Sequence, residues 1–550
     1  MKTAVKKLII AVALIGLAAC KETVKDEFAI EQGIFEPTWE SLIENNEFPE
    51  WFRDAKFGIW AHWGIQCVPE AGDWYARNMY LQGEGAYRHH LANYGHPSEF
   101  GFIDFIPMWK AEKWDPEALM ELYVKAGAKY FVAMANHHDN FDNYDSKYHE
   151  WNSVNLGPNR DIVGEWADAA RKQGLKFGVS NHAAHAWHWF QPAYGYDAEG
   201  DMAGIRYDAY NLRKEDGKGK WWEGYDPKLF YTEPTMVMPD GITSLDSMNK
   251  WHEENDRVWT EKIPENNPEF ASNWFLRTKE LIDKYEPDLI YFDDEGLPLE
   301  HYGLEIAAHY YNKSTNRNNG KNQVVITAKE LTDAEQAGIT LDCERGSISN
   351  VSEYPWQTCS CIGSWHYNQS TYDRDRYKSV ELISKTLVDI VSKNGNLLLS
   401  IPVKGDGSID DKEIAFLEEM GEWMAVHGEG IYGTRPWVIF GEGSANTSGE
   451  GSFGARERAQ ASLSYRDVRF TTKDDKLYTF VLGFPTDKTV EISALGYGSQ
   501  QLNGKKITGI SMLGTDKPIK WVQNEDKLVI TLPDVENTGK TIGFVIDGII

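Results

Sequence analysis

Between residues 55 and 402, short apolar or β-branched runs alternate with stretches whose apolar residues recur at helical spacing. Eight runs predict strands, at 57–63, 130–138, 176–182, 288–293, 323–328, 338–344, 356–362 and 395–402. Periodic segments at 116–126, 162–173, 268–285, 304–311 and 374–392 predict helices between them. Three of these run toward a glycine suited to a helix C-cap, at Gly127, Gly174 and Gly395. Eight strands alternating with helices over this length predict an α/β fold, a (β/α)8 TIM-like barrel. The 195–260 segment, rich in Gly, Asp, Glu and Trp, predicts a long insertion after the third strand, of the kind barrels place over the active site.

After residue 435 the period changes. Residues 434–436 and the Gly/Ser-rich 441–454 stretch read as a loop or linker. Strand-like alternation then follows at 468–472, 477–482, 489–492, 528–532 and 542–546, broken by Asp-Asp, Asn-Gly and Pro-containing turns. This predicts a C-terminal antiparallel β-sandwich. No internal repeat of fixed period is present. The expected organisation is a leader at 1–20, an N-terminal linker at 21–50, a barrel at 51–435 and the β domain at 436–550.

Composition narrows the classes. The chain has 550 residues and a formal net charge of −28, from 84 Asp+Glu against 56 Lys+Arg. Such acidity argues against a nucleic-acid partner, because nothing offsets phosphate repulsion. With 41 % hydrophobic residues, including 21 Trp, the chain can bury enough surface to fold. Five Cys in a chain this long are no disulfide scaffold.

Residues 1–20 change the compartment. Lys2, Lys6 and Lys7 precede a ten-residue apolar run, shorter than the roughly 20 residues a membrane span needs. That is the pattern of an export signal. Its ending, Leu17-Ala18-Ala19-Cys20, resembles a bacterial lipobox, which makes Cys20 the expected lipidation site. The expected product is an exported periplasmic or outer-membrane lipoprotein whose lipid is its membrane contact. Loss of the three lysines takes the formal charge from −28 to −31. Of the remaining cysteines, Cys359 and Cys361 are spaced wrongly for a Cys-x2-Cys zinc knuckle, and buried thiols are the simpler reading.

In a barrel, chemistry gathers where strands end. Here the predicted strands end in His62, His137-His138-Asp139, Asn181-His182, Asp293-Asp294-Glu295, Lys329-Glu330 and Asp342-Cys343-Glu344, and Asp73-Trp74 follows the first. A single such His is ordinarily structural; several together are not. Asp293 emerges from an apolar strand and needs a partner or a task. Asp294 points to the opposite strand face, as a cap or salt-bridge residue would. Carboxylates with Trp and His suit a pyranose, whose C–H faces stack on Trp and whose hydroxyls bond to His, Asn and carboxylates. Glycoside hydrolysis adds two carboxyl groups, about 5–5.5 Å apart in retaining enzymes. A metal site is the rival, but His137 and His138 would alternate in direction on a strand. The glycosidase reading needs no metal and no cofactor.

These motifs resemble glycoside hydrolase family 29, the α-L-fucosidases. The opening strand from Trp51 to Gly64, the His137-His138-Asp139-Asn140-Phe141 element, Gly157-Pro158-Asn159-Arg160-Asp161 and Glu286-Pro287-Asp288-Leu289-Ile290-Tyr291-Phe292-Asp293 occur in the family's order, as do Ser364-Trp365-His366-Tyr367-Asn368 and Gly395-Asn396-Leu397-Leu398-Leu399. The resemblance implies a retaining exo-α-L-fucosidase with Asp293 as nucleophile. It implies sugar contacts from His62, Trp74, His137 and His138, with Trp365 packing on the fucose C6 methyl. Glu344 is the expected acid/base, with Glu353 second. The chain departs from the family's pattern at Asn136, Asp73, Asn140 and His366, the last standing where a glycine is usual. An imidazole beside C6 could pack, or could bond a 6-hydroxyl or a sulfate. An α-L-galactosidase or a sulfate-tolerant exo-enzyme on algal polysaccharide is therefore the alternative, although a sulfated substrate fits poorly with the acidity. A non-catalytic glycan-binding lipoprotein would use the same cleft without needing Asp293. Oligomeric state has no sequence signature here.

Overall fold

The computed structural model describes residues 27–443 and 461–550. The leader at 1–20, with Cys20, and the 444–454 part of the expected linker lie outside the described residues. Eight parallel strands form the first domain: β1 (Phe57–Ala61), β2 (Tyr130–Asn136), β3 (Lys176–Asn181), β4 (Leu289–Glu295), β5 (Val325–Lys329), β6 (Thr340–Leu341), β7 (Trp356–Cys361) and β8 (Gly395–Ser400). They hydrogen-bond in the order β6-β5-β4-β3-β2-β1-β8-β7. The ring closes just past β6. Asp342 N–H still bonds β5 at Ala328 O (2.8 Å), whereas Cys343 and Arg345 donate to β7 at Gln357 O (2.8 Å) and Cys359 O (2.7 Å). The barrel expected from the sequence is therefore present, with its sixth strand cut to two residues because the chain changes hydrogen-bonding neighbour there.

The covering helices begin where side chains cap them. Asp115 accepts from Ala118 N–H ahead of Pro116–Lys125, Asp161 from Gly164 N–H ahead of Ile162–Lys172, and Asn267 from Phe270 N–H ahead of Pro268–Tyr285. Gly127 and Gly174 take the positive φ of helix-ending residues, +102° and +74°. Gly395 does not; Asn394 takes the left-handed φ of +76° instead. Gly395 opens β8, where a Cβ would meet Ile390 and Trp356 at 2.6 Å. The expected 304–311 helix is longer, His301–Arg317, and the expected 374–392 helix starts only at Val380, capped by Ser379.

The C-terminal domain is a β-sandwich. A five-stranded antiparallel sheet runs β13 (Gly509–Met512), β16 (Ile542–Asp547), β11 (Lys476–Val481), β10 (Val468–Lys473) and β9 (Arg435–Glu442). A three-stranded sheet runs β12 (Thr489–Ile492), β15 (Leu528–Thr531) and β14 (Lys520–Gln523). Val468, Phe470 and Phe544 pack with Val490 and Ile530 in one core between them. Residues 435–436 and 441–442, read as loop or linker, are the two ends of the edge strand β9, the position in a sheet that tolerates Pro436. The two domains are joined by a buried ion triad. Asp389 on the Val380–Ser392 helix meets Arg469 Nε at 2.6 Å and Lys393 Nζ at 2.9 Å. Among the described residues, no helix is long and apolar enough to cross a membrane.

Candidate active site

A cavity of about 770 Å³ opens at the C-terminal ends of the barrel strands. His62, Asp73 and Trp74 reach it from beyond β1, His137 from just beyond β2 and His182 from just beyond β3. Asp293 comes from β4, Lys329 from β5, Glu344 from beyond β6, and Trp365 and His366 from beyond β7. The fold thus brings residues from distant parts of the chain to one mouth.

Asp293 sits at its centre. Along β4, Leu289 to Phe292 are buried, and the strand alternation sends Asp293 into the cavity and Asp294 to the other face. The Asp293 side chain is only 17 % exposed. Lys329 Nζ contacts its Oδ1, while His182 Nδ1 at 3.1 Å and His138 Nε2 at 3.2 Å face Oδ2. Burial alone would raise the Asp293 pKa, but Lys329 and the two imidazoles hold it well below the usual carboxylate range. Asp293 is therefore an anion at neutral pH.

Lys329 also touches Glu344, with Nζ 2.6 Å from Oε2. Two carboxylate oxygens sharing one ammonium are separated by at most about two hydrogen-bond lengths, roughly 5.5–6 Å. That bound is compatible with the retaining spacing and shorter than the inverting one. The two carboxyls differ electrically. Burial and the nearby Asp293 charge push the Glu344 pKa up despite Lys329. An anionic carboxylate beside a carboxyl of raised pKa is an arrangement that can divide the roles of nucleophile and acid. Glu353, by contrast, is exposed on the β6–β7 connection and does not line the cavity.

Imidazoles and indoles build the floor. Trp60 donates from Nε1 to Ser180 Oγ (3.2 Å), and Ser180 Oγ lies 3.0 Å from His182 Nε2, which orients His182 toward Asp293. His62 packs on Trp60 with ring centroids 3.9 Å apart, and its Nδ1 is 3.1 Å from Ser400 Oγ. His137 Nδ1 pairs with Gln66 Nε2 at 2.9 Å. Burial first, then neighbouring imidazoles, pushes His62 and His137 well below the usual histidine range. They are neutral groups able both to donate and to accept, as sugar hydroxyls require.

His137 and His138 correct the strand-alternation argument. β2 ends at Asn136, so both residues lie on the turn after it, and their rings are 4.6 Å apart. His137 faces the cavity. His138, expected to contact sugar, does not line the cavity but faces Asp293 Oδ2 with its Nε2 at 3.2 Å, its Nδ1 2.6 Å from His182 O. Ligand atoms of His137, His138 and His182 lie within 4.8 Å of one another, as do those of His185, Glu261 and Asp294. These are the groups that could hold a metal ion. In the first set, Gln66, Asp293 and Ser180 already engage a nitrogen of each ring. The turn also explains Asn140. Its φ is +59°, a conformation Asn tolerates, and its side chain bonds Arg277 (2.8 Å) and Leu229 O (3.0 Å).

Asp73 accepts the backbone N–H groups of Trp365 (3.2 Å) and His366 (2.7 Å), which ties the β1 and β7 loops together. Trp365 lies 4.9 Å from the His62 ring. His366 is buried, and neither of its ring nitrogens finds a hydrogen-bond partner among the described residues. Its Nδ1 is 3.5 Å from Asp73 Oδ1.

The expected site residues Asp293, Glu344, His62, Trp74, His137, Trp365 and His366 thus meet in one cavity. Lys329, His182 and Trp259 were not among them. Lys329 and His182 end strands, a signal present in the sequence. Trp259 comes from the insertion, where no periodicity locates a residue.

Independent comparisons agree with this geometry. Residues 23–429 match the model of the family described as Alpha-L-fucosidase, and residues 460–546 that of the Alpha-L-fucosidase C-terminal domain. The chain is similar to the tissue alpha-L-fucosidase of Rattus norvegicus, 27 % identical over 91 % of this chain and 89 % of that one. The alpha-L-fucosidase of Branchiostoma floridae is 27 % identical over 89 % of each chain. Among solved structures, Thermotoga maritima alpha-fucosidase in complex with fucose is 26 % identical, with a TM-score of 0.63, over 93 % of this chain and 100 % of that one. With the match spanning most of the barrel and most of the β domain, the chain belongs to the alpha-L-fucosidase family of glycoside hydrolases.

Proposed function

We propose that the protein hydrolyses terminal α-L-fucosides of oligo- or polysaccharides, exo-acting and with retention of configuration. The observation that carries this reading is one ammonium, Lys329, shared by two carboxyls of unlike character, Asp293 held below the usual carboxylate range and Glu344 pushed up by burial and the Asp293 charge. In the first step Asp293 Oδ attacks the anomeric carbon, and Glu344 gives its proton to the departing glycosidic oxygen. The Asp293 charge disappears into the ester. Glu344 then loses its anionic neighbour while Lys329 stays, so its pKa falls and it becomes the base that deprotonates water. Water attacks the same carbon, the ester breaks, and Asp293 returns as a carboxylate. His62, Trp74 and His137 bind the sugar, and His182 and His138 keep the nucleophile oriented. The test is hydrolysis of an aryl α-L-fucoside followed by proton NMR. Release of α-L-fucose first supports the reading, and β-L-fucose first or no hydrolysis by the wild type sinks it.

A second substrate has one specific observation in its favour. His366 is an imidazole buried beside Trp365 at the cavity, its Nδ1 3.5 Å from Asp73 Oδ1 and its Nε2 without a hydrogen-bond partner among the described residues. L-galactose is fucose with a 6-hydroxyl, which such a group would bond. An α-L-galactoside is therefore the alternative substrate.

The 1–20 sequence supports an exported form anchored by lipid on Cys20, periplasmic or at the outer membrane. Radiolabelled palmitate incorporated by the wild type and lost in Cys20→Ala would support it; equal labelling would sink it.

A further inference from the structure

Beside the catalytic cavity, the insertion between β3 and β4 carries a strap, residues 256–261, that the mechanism does not use. Its two ends are held by one pair of histidines. At one end, Asp256 O lies 2.9 Å from His188 Nδ1. At the other, both Glu261 carboxylate oxygens lie 2.9–3.0 Å from His185 Nε2. His185 Nδ1 and His188 Nε2 are 3.3 Å apart. The proton inventory follows. A carbonyl can only accept, so His188 Nδ1 donates and its Nε2 accepts from His185 Nδ1. His185 Nε2, facing Glu261 and also Asp294 at 2.7 Å, must then donate as well. His185 is an imidazolium latch. Asp256 is anchored further by Arg77 at 2.5 Å and His252 at 2.7 Å, and Glu261 by the Glu295 N–H at 2.9 Å.

Between the two anchors stands Trp259. Its indole lies on the His185 ring with centroids 3.8 Å apart, an arrangement that a cationic imidazole strengthens. It lines the cavity and runs parallel to Trp74, 4° between planes and 6.3 Å between centroids. It meets His138, the residue facing Asp293 Oδ2, edge-on at 5.3 Å. The latch docks on Glu295, which pairs on the neighbouring strand β5 with Lys329, the residue in contact with Glu344. Trp259 therefore stands on the β3–β4 side of the cavity, one ring (His138) away from the nucleophile. Trp365 and His366, by contrast, enter the cavity from beyond β7, packed on His62 and His137. The cavity is the size of a drug-sized ligand site, larger than one monosaccharide fills.

We propose that Trp259 is the leaving-group platform of this enzyme: it stacks on the apolar face of the pyranose to which the terminal sugar is linked, and the His185–Glu261 latch is the positioning device that holds it there. The inference rests on the fucosidase reading and names the substrate class of that site, a glycoside whose aglycone is itself a pyranose. Aromatic stacking of this kind is sequence-independent and requires only a flat C–H face.

The test compares kcat/KM on an α-L-fucosyl disaccharide with that on α-L-fucosyl fluoride, whose leaving group is too small to reach the platform. In Trp259→Ala the disaccharide-to-fluoride ratio is expected to fall about tenfold. Trp259→Phe, which restores an aromatic face, should keep it within about threefold of wild type. Glu261→Ala, which releases one end of the strap, should lower it in the same direction. Thermal melting of each variant separates a fold defect from a subsite defect, and a fold defect lowers both activities and leaves the ratio alone. An unchanged ratio in a wild-type enzyme that cleaves both substrates overturns the platform only. A wild type that cleaves neither overturns the fucosidase reading and the platform with it.

Discussion

Asp293 and Glu344 meet at a single cation: the Lys329 ammonium contacts Asp293 Oδ1 and lies 2.6 Å from Glu344 Oε2. This cation favours the ionised form of both carboxyls, while burial opposes it in both. Asp293 ends below the usual carboxylate range and Glu344 above it, because Asp293 has two imidazoles besides and Glu344 has an anion for a neighbour. Lys329→Met should reduce kcat/KM by about 10²–10³. Each carboxyl then loses a positive neighbour, so both pKa values rise. The acid limb of the kcat/KM profile, set by ionisation of Asp293, should move to higher pH, and the basic limb, set by loss of the Glu344 proton, should move the same way. A pH series on Lys329→Met would show this, and an unmoved profile would remove Lys329 from the account.

The two carboxyl roles separate by leaving group. Glu344→Ala should slow fucosides of poorly acidic alcohols by about 10²–10⁴ while sparing fucosyl fluoride, which needs no proton. The basic limb should vanish with it. Glu353→Ala should leave kcat/KM within about twofold, since its carboxylate is solvated and away from the cavity. Steady-state kinetics on three leaving groups decides it; the reverse pattern would transfer the acid role to Glu353.

His366 sets the second specificity question. If the His366 Nε2, without a hydrogen-bond partner among the described residues, receives a 6-hydroxyl, His366→Ala should lower kcat/KM on an aryl α-L-galactoside relative to the matching fucoside by roughly 10-fold, the worth of about one hydrogen bond. Equal effects on the two substrates would leave His366 a packing residue between Asp73 and His137.

Much of this architecture was legible in the chain. Apolar runs located all eight barrel strands, because each must be buried and each is short. Asp293 was legible for the same reason, a carboxylate directly following Leu289-Ile290-Tyr291-Phe292. What escaped was decided by neighbours distant in sequence. β6 shrinks to two residues because Cys343 and Arg345 find partners on β7. The His137 and His138 rings come within 4.6 Å because β2 ends at Asn136 and both lie on the turn after it. β9 was hidden by Pro436, harmless only because that strand lies at an edge. Trp259 was hidden most deeply, for its place depends on His185, 74 positions earlier, and on Asp294, 35 later.

The contact between barrel and β domain carries its own prediction. Asp389 is buried against Arg469 and Lys393, and although burial opposes it, those two cations hold its pKa below the usual value. Asp389→Ala strands two buried cations and should cost about 3–5 kcal/mol in urea denaturation. A group with a depressed folded pKa contributes stability above its unfolded pKa, and that contribution fades as pH falls through the folded value. The gap between wild type and Asp389→Ala should therefore be full at neutral pH and narrow in acid. A gap independent of pH would contradict the ion-triad explanation.

The most direct test of the central claim is to trap the covalent intermediate. Incubation with 2-deoxy-2-fluoro-α-L-fucosyl fluoride, digestion and mass spectrometry should find one fluorofucosyl ester, on Asp293, and none in Asp293→Ala. An ester on another residue, or fluoride release by the wild type with no ester formed at any concentration, would contradict the double-displacement account.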